Sequence, residues 1–563
     1  MKMLGAEAVI ECLKAEGVDM VFGYPGGCVL TLYDALFKAD FPHVLTRHEQ
    51  GAVHAADGYA RATGKTGVCF ATSGPGATNL ITGIATAYMD SVPLVAITGQ
   101  VGVSVIGKDA FQEADVRGIT TPVTKHNYLV KKVQDLPRVM KEAFYIARTG
   151  RPGPVVVDIS RDVFNATFDF EYPETVKLRG YSPLFDGDLE SIELVARALE
   201  AAEKPVVFVG GGVIISDTSE ELRRFADLTG FPVFSSLMGL GCIPSDSPQH
   251  LGMVGMHGTY AANMATIECD LLLGIGVRFD DRVTSLVKDF APQAKIVHLD
   301  IDPAEVNKNV RADLRVVGDL RWSLPLLYKQ AARRSPEEWR NGIAAWAKRV
   351  QMWKRDNPLT YTQEDGSIMP QTVIEKVSEL TQANTVVVTD VGQHQMWTAQ
   401  YYNFPRERSL LTSGGLGTMG YGLPAAIGAQ MSSPDKTVVL FTGDGSIMMN
   451  CQELATVADN DLPIKIIVIN NQVLGMVNQW QRMFYGERYS QSSTKGRTDF
   501  VKLAEAMGVT GLRVTNPAEL GHTLEKALLI QGPVLVEVLV PPTEDVLPMV
   551  PPGGRLDQMV LGG

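Results

Sequence analysis

A chain of 563 residues exceeds what one hydrophobic core serves, so three or four domains are expected at the usual ~100–200 residues each. Its net charge of −12, with no basic cluster, argues against nucleic acid and anionic membrane surfaces as partners. Six scattered cysteines (Cys12, Cys28, Cys69, Cys242, Cys269, Cys451) form no CxxC pair and have no His-rich neighbour, which argues against zinc and a disulfide framework and fits a reducing cytoplasm.

The first predicted element is a helix with Ala6, Val9, Ile10 and Leu13 on its apolar face, which leaves no room for a signal or transit peptide. No apolar run reaches the ~18 residues of a membrane span. Short β-branched runs at residues 19–24, 67–71, 93–98 and 154–159 alternate with helical patterns, which predicts βαβ units and a parallel sheet within residues 1–175. A polar, Pro-containing stretch at 168–188 reads as a linker. The second block, 188–345, begins with an apolar run at 205–209 and continues through 270–275 and 295–300. A charged, Trp-rich helical stretch at 336–355 leads to a third block, 366–545, with runs at 385–389, 437–441, 464–469 and 533–540, and a tail at 546–563 closes the chain. The expected fold class is α/β, with three consecutive open parallel-sheet domains.

Two runs of the third block end in oxygen-bearing loops. Residues 438–441 open into Gly443-Asp444-Gly445, and residues 464–469 open into Asn470-Asn471. Both loops fall on the carboxyl edge of a parallel sheet, where ligands of open α/β sheets collect. One carboxylate and one amide oxygen suit Mg²⁺ holding a diphosphate, because that ion takes few protein ligands and completes its octahedron with phosphate and water. GDG alone is an ordinary turn; the twenty-four residues between it and Asn470 make the pair specific. Upstream, Glu49 opens an Ala-rich helical stretch, where a first-turn charge on the helix dipole is the simpler role. Tyr24-Pro25-Gly26-Gly27 reads as a turn. Gly210-Gly211-Gly212 after a strand is a weak dinucleotide signal, and the glycines from Gly414 to Gly420 let backbone approach a ligand closely. Met476, Val477 and Trp480 share one helical face, for which core packing is the simpler role.

Taken together, GDG with NN, the segment RHEQGAVHAADGYAR at 47–61, and Ala71-Thr72-Ser73-Gly74-Pro75-Gly76 resemble the thiamine-diphosphate-dependent enzymes. Within them the chain is similar to the acetohydroxyacid synthases, also called acetolactate synthases, in their biosynthetic form, from Phe22 to about Gly554. Three segments of the central block (256–258, 276–282, 298–303), the helix with Trp480, the loop 108–113 and the tail segment VLPMVPPGG carry that narrower resemblance. It implies thiamine diphosphate, Mg²⁺ and FAD as cofactors. Glu49 is implied to exchange a proton with the cofactor's pyrimidine, and Tyr24, Pro25, Gly26, Gly27, Pro75, Asn79, Gly417 and Met419 to surround its rings. Gln393, His394, Gly443, Asp444, Gly445, Ser446, Asn471 and Met476 are implied around the diphosphate end, with Asp444, Asn471 and the Val473 carbonyl on Mg²⁺. FAD is implied at Arg151, Gly210, Gly211, Gly212, Met256, His257, Gly276, Arg278, Asp280, Arg282, Asp300, Ile301 and Asp319.

The activity implied is decarboxylation of pyruvate and ligation of its two-carbon unit to a second 2-keto acid, in branched-chain amino acid biosynthesis. Phe111, Gln112, Arg278, Met476 and Trp480 are implied at the reacting substrates, Arg278 on the acceptor carboxylate and Trp480 on its alkyl group. In the family Glu49 of one subunit meets the cofactor held by Asp444 of its neighbour, so a homodimer or homotetramer is implied. Biosynthetic relatives also bind a small regulatory subunit. Cys28, Gly102-Val103, Lys108, Ser160-Arg161 and Asn478 depart from the commoner residues. Two rivals remain at this point: an FAD-dependent pyruvate oxidase or another 2-keto acid decarboxylase or carboligase, and a catalytically dead regulatory or scaffold protein. The segment around Met476 and Trp480 and the closing tail favour ligation over oxidation. Intact Glu49, Asp444 and Asn471 weigh against a dead enzyme.

Overall fold

In the computed structural model, which describes residues 1–381, 384–494 and 496–561, the apolar runs become inner strands of three six-stranded sheets, every strand pair of which is parallel. The first sheet runs His43–Leu45, Val21–Gly23, Gly67–Ala71, Leu94–Gln100, Pro154–Ser160, His126–Val130. The third runs Leu410–Leu411, Thr385–Thr389, Thr437–Gly443, Lys465–Asn470, Val534–Leu539, Thr510–Val514. Numbered within each sheet, both follow the order 2-1-3-4-6-5, so the two ends of the chain carry the same topology. The central sheet runs His250–Met253, Val233–Ser235, Pro205–Val209, Leu271–Ile275, Lys295–Asp300, Leu314–Val317, the 3-2-1-4-5-6 order of dinucleotide-binding folds.

Strand order reverses between Val21–Gly23 and Gly67–Ala71, between Pro205–Val209 and Leu271–Ile275, and between Thr385–Thr389 and Thr437–Gly443, and the first and third sheets reverse again at their far edge strands, His126–Val130 and Thr510–Val514. The crevice outside the carboxyl ends at such a point is where open α/β sheets bind ligands. The glycine-rich and acidic loops of the sequence therefore fall at the first three of these switch points.

The first and third sheets share one hydrophobic core, sealed where helix Glu49–Thr63 crosses helix Gly422–Ser432. Backbones touch there: a Cβ on residue 58 would lie 2.2 Å from the Ala425 carbonyl oxygen, and one on residue 428 would lie 1.9 Å from that of Ala55. The Trp-rich stretch forms helices Pro336–Gly342 and Ala344–Asp356, whose buried Trp339 and Trp346 donate indole N–H bonds to the carbonyls of Ala331 and Pro205, each at 3.0 Å. It thus packs on the central domain. The tail returns to the central domain, where the Val550 N–H donates to the Met256 carbonyl at 2.8 Å; its last two residues lie outside the described ones. Among the described residues no helix is long and apolar enough to cross a membrane, and all six cysteines are free thiols.

Candidate active site

Strands Thr437–Gly443 and Lys465–Asn470 lie side by side, with Gly443 opposite Ile469, so Asp444 and Asn471 emerge together from the sheet edge. Burial pushes the Asp444 carboxyl up to about 6, since desolvation outweighs the Thr494 hydroxyl that donates to its Oδ2 at 3.0 Å. The Asn471 amide donates to Gln393 Oε1 at 3.1 Å, and its Oδ1 accepts the Val473 N–H at 3.2 Å. Gln393, His394, Gly443, Asp444, Gly445, Ser446, Asn471 and Val473 line one cavity of about 100 Å³, with Met419 and Met476 at its rim. His394 is buried with Nε2 unpartnered, and desolvation drives its ring down to about 3, so the imidazole is neutral. Among the described residues the buried carboxylate has no cationic partner, which fits a cation, and the orphaned imidazole nitrogen is open to a bound group. Among the described residues no cluster of three His, Cys, Asp or Glu side chains could hold a metal, so a cation here must also draw on amide or carbonyl oxygens.

A second cavity, of about 1210 Å³, opens from the first across Val391, Gly392, Met419 and Met476. Every residue expected around FAD lines it: Arg151, Gly210, Gly211, Gly212, Met256, His257, Gly276, Arg278, Asp280, Arg282, Asp300, Ile301 and Asp319. Gly210 and Gly212 are required by close approach, because a Cβ there would come within 2.1 Å of the Gly276 carbonyl oxygen and 2.7 Å of its Cα. Two of the acids also cap helices: Asp280 accepts the Arg282 N–H at 3.0 Å, and Asp319 accepts the Arg321 N–H at 2.8 Å. Arg151 is engaged by Glu305 at 2.6 Å and Asp302 at 3.2 Å. Gly417, Met419, Met476 and Trp480 line the same cavity, as does Arg278, whose Nη1 donates to the Met89 carbonyl at 2.7 Å.

The remaining candidates gather at the carboxyl edge of the first sheet. Glu49 opens its helix almost fully buried, and Asn79 donates to its Oε2 at 2.9 Å. Tyr24-Pro25-Gly26-Gly27 follows strand Val21–Gly23, and Gly26 leaves room for Thr72, which a Cβ would approach to 2.5 Å. Pro75 starts the short helix Pro75–Asn79, and the loop with Phe111 and Gln112 packs its backbone on Gly74. None of Tyr24, Pro25, Gly26, Gly27, Glu49, Pro75, Asn79, Phe111 or Gln112 lines either cavity. Phe111 stands 88% exposed, an unusual cost for a large aromatic ring.

Three connections carry no local sequence signal. Glu453 of the third domain accepts the N–H groups of Arg47 and His48 at 3.0 and 3.1 Å, just before Glu49. Gln479 accepts from Gln393 at 2.9 Å and from the Val546 N–H at 3.0 Å, joining the small cavity to the tail. Asp90 reaches across domains to the glycine-rich loop.

Residues 3–119, 192–327 and 390–538 match, in turn, the N-terminal TPP binding, central, and C-terminal TPP binding domains of thiamine pyrophosphate enzymes. The chain is 50% identical to the probable acetolactate synthase large subunit of Methanocaldococcus jannaschii, over 99% of this chain and 95% of that protein. It is 49% identical to the acetolactate synthase large subunit of Haemophilus influenzae, over 100% of this chain and 98% of the relative. It is likewise 49% identical to the acetolactate synthase isozyme 3 large subunit of Escherichia coli, over 100% and 99%.

Proposed function

We propose, for a chain that belongs to the acetolactate synthase large subunits among the thiamine pyrophosphate enzymes, a carboligation site divided between two copies of the chain. The enzyme decarboxylates pyruvate and joins the two-carbon remainder to a second pyruvate or to 2-ketobutyrate, giving 2-acetolactate or 2-aceto-2-hydroxybutyrate, precursors of valine, leucine and isoleucine. One observation carries the divided site: Glu49 and its neighbours, on the first sheet, line neither cavity on which Asp444, Arg278 and Trp480 converge.

Thiamine diphosphate, when bound, supplies the electron sink for loss of CO₂ and the nucleophilic carbon for ligation. Asp444, Asn471 and the Val473 carbonyl would hold Mg²⁺, with Gln393, His394, Gly443, Gly445 and Ser446 around the diphosphate. A helix start at Asp444 offers backbone N–H donors to phosphate oxygens, and the neutral His394 ring beside them adds no charge. Met419 would support the cofactor's rings and the Gly417 backbone would meet its pyrimidine. Glu49 of the other copy, whose Oε2 Asn79 orients, would hold the proton to be exchanged with the pyrimidine ring. Tyr24, Pro25, Gly26, Gly27, Pro75, Phe111 and Gln112 come with it, which would cover the exposed Phe111 ring. Arg278 receives the acceptor carboxylate with its planar fork, and Trp480 and Met476 receive the alkyl group.

The central sheet's dinucleotide order and the thirteen residues gathered on its cavity support FAD there. Relatives named as large subunits support a smaller partner chain, and six free thiols support a cytoplasmic setting. The test is anaerobic incubation of the enzyme, thiamine diphosphate, Mg²⁺ and FAD with both 2-keto acids and no electron acceptor. Sustained formation of both acetohydroxy acids is expected; turnover that stops without an acceptor would make the enzyme an oxidase.

A further inference from the structure

Helix Ile81–Met89 of the first domain ends against the glycine-rich loop of the third, and Asp90 sits at that end. The site is a poor one for a carboxylate. The last turn of a helix presents unpaired carbonyls and the negative end of its dipole, and the Asp90 side chain is fully buried as well. Donors from other elements hold it there. Its Oδ2 accepts from Arg61 Nη2 at 2.8 Å and from the Gly414 N–H at 3.0 Å, and its Oδ1 accepts the Gly415 N–H at 2.7 Å. A Cβ on residue 415 would lie 2.8 Å from Asp90 Oδ1 and 3.1 Å from Arg278 Nη2, so it would displace the carboxylate, and one on residue 414 would lie 2.4 Å from Met238 Sδ and push that side chain aside.

The first domain grips the same loop at two further points. Beyond Gly417, the hydroxyls of Thr86 and Thr418 meet at 2.7 Å, and after Gly420 the Tyr421 hydroxyl donates to Asp57 Oδ1 at 2.9 Å. The residue before Asp90 faces the central domain, where the Met89 carbonyl accepts from Arg278 Nη1 at 2.7 Å. One helix end therefore touches the loop that carries Gly417 and Met419 on one side and the substrate arginine on the other.

We infer that Asp90 is a positioning residue of the carboligation. Its carboxylate fixes the loop against the cofactor's pyrimidine and, through the Met89 carbonyl, sets the distance between that loop and Arg278. This rests on the roles proposed above for Gly417, Met419 and Arg278. A carboxylate is required rather than an amide. Three N–H donors converge on two oxygens, and an Asn would present an NH₂ group to one of them.

The test compares the purified holoenzyme with its Asp90→Asn, Asp57→Asn and Thr86→Val variants at saturating Mg²⁺ and FAD. It reads kcat, KM for pyruvate, half-saturating thiamine diphosphate, the ratio of the two products from mixed acceptors, and Tm. Asp90→Asn should lower kcat about 100-fold, the usual cost of an ångström of misplacement, and change the product ratio because Arg278 moves with Met89. Asp57→Asn, which touches Arg61 and Tyr421 but neither glycine N–H nor the Met89 carbonyl, should lower Tm with the product ratio unchanged. Should Asp90→Asn fail to fold, Thr86→Val decides: the half-saturating thiamine diphosphate concentration should rise with the product ratio unchanged. An Asp90→Asn enzyme with only a lower Tm, or a Thr86→Val enzyme with unaltered half-saturation, overturns the inference. A wild-type enzyme that makes neither acetohydroxy acid overturns the reading of the site as well, whereas an active wild type beside an unaffected Asp90→Asn overturns the role of Asp90 alone.

Discussion

Replacing Trp480 by alanine removes an apolar wall from the large cavity. The ring lies half-buried on helix Gly475–Phe484, edge-on to Phe484 with centroids 5.8 Å apart, and lines the cavity that Met476 and Arg278 also line. What it can distinguish is one methylene, the difference between 2-ketobutyrate and pyruvate as acceptor. Burying a methylene is worth about 0.8 kcal/mol, about fourfold in relative rate, and a tight pocket raises that to at most ~3 kcal/mol, ~150-fold. Trp480→Ala should bring the acceptor ratio close to unity while 2-acetolactate formation persists, because a methyl group needs no such wall. The indole N–H is buried without a partner, so its loss orphans no acceptor. The assay is a competition between the two acceptors at a series of concentration ratios, with both products quantified. An unchanged product ratio would refute the placement of the acceptor's alkyl group against Trp480.

Thiamine diphosphate with Mg²⁺ should raise the Tm of the wild type by mass action, and Asp444→Asn should remove most of that rise; an equal rise in the variant would place the diphosphate elsewhere. Gly428→Ala forces a Cβ to 1.9 Å from the Ala55 carbonyl oxygen, so it should cost at least the ~1–3 kcal/mol typical of overpacking, read as a lower Tm; an unaffected Tm would contradict the helix contact. Burial lifts the Asp158 carboxyl from 3.8 to about 7, despite the Thr98 and Gln100 bonds. The folded state keeps a proton that the unfolded chain loses, so this group's stabilisation is full below about pH 4 and declines by ~1.4 kcal/mol per pH unit up to about 7. The Tm of Asp158→Asn relative to wild type should therefore shift in the variant's favour between about pH 5 and about pH 8, whatever fixed cost the lost Gln100 bond adds. A constant difference would show that Asp158 titrates normally.

The inner strands, except the three-residue Val233–Ser235, were legible in the sequence because a strand covered on both faces must be a continuous apolar run, as at 205–209 and 464–469. Apart from His43–Leu45, the edge strands were not. Thr510–Val514 buries only its last residue, and His126–Val130 buries only Asn127 and Val130, so neither stands out from loop. Asp444, Asn471 and Gly210 could be found because a strand end followed by a small or oxygen-bearing residue is a local pattern. Glu453 and Asp90 could not: their partners, Arg47 and Gly414, lie hundreds of residues away on other domains. The repetition of one strand order at both ends of the chain was equally invisible, since topology is fixed by pairing between strands and leaves no trace in their composition.

Mixing two inactive variants tests the divided site most directly. Glu49→Gln disables one half-site and Asp444→Asn the other, and each alone should leave the enzyme nearly inert. If the halves meet across two copies, a mixed dimer regains one intact site, so co-expression should restore about a quarter of wild-type activity at random pairing. If Glu49 and Asp444 of the same chain act together, every site in the mixture carries a lesion, and activity that stays at the level of the single variants would contradict the account.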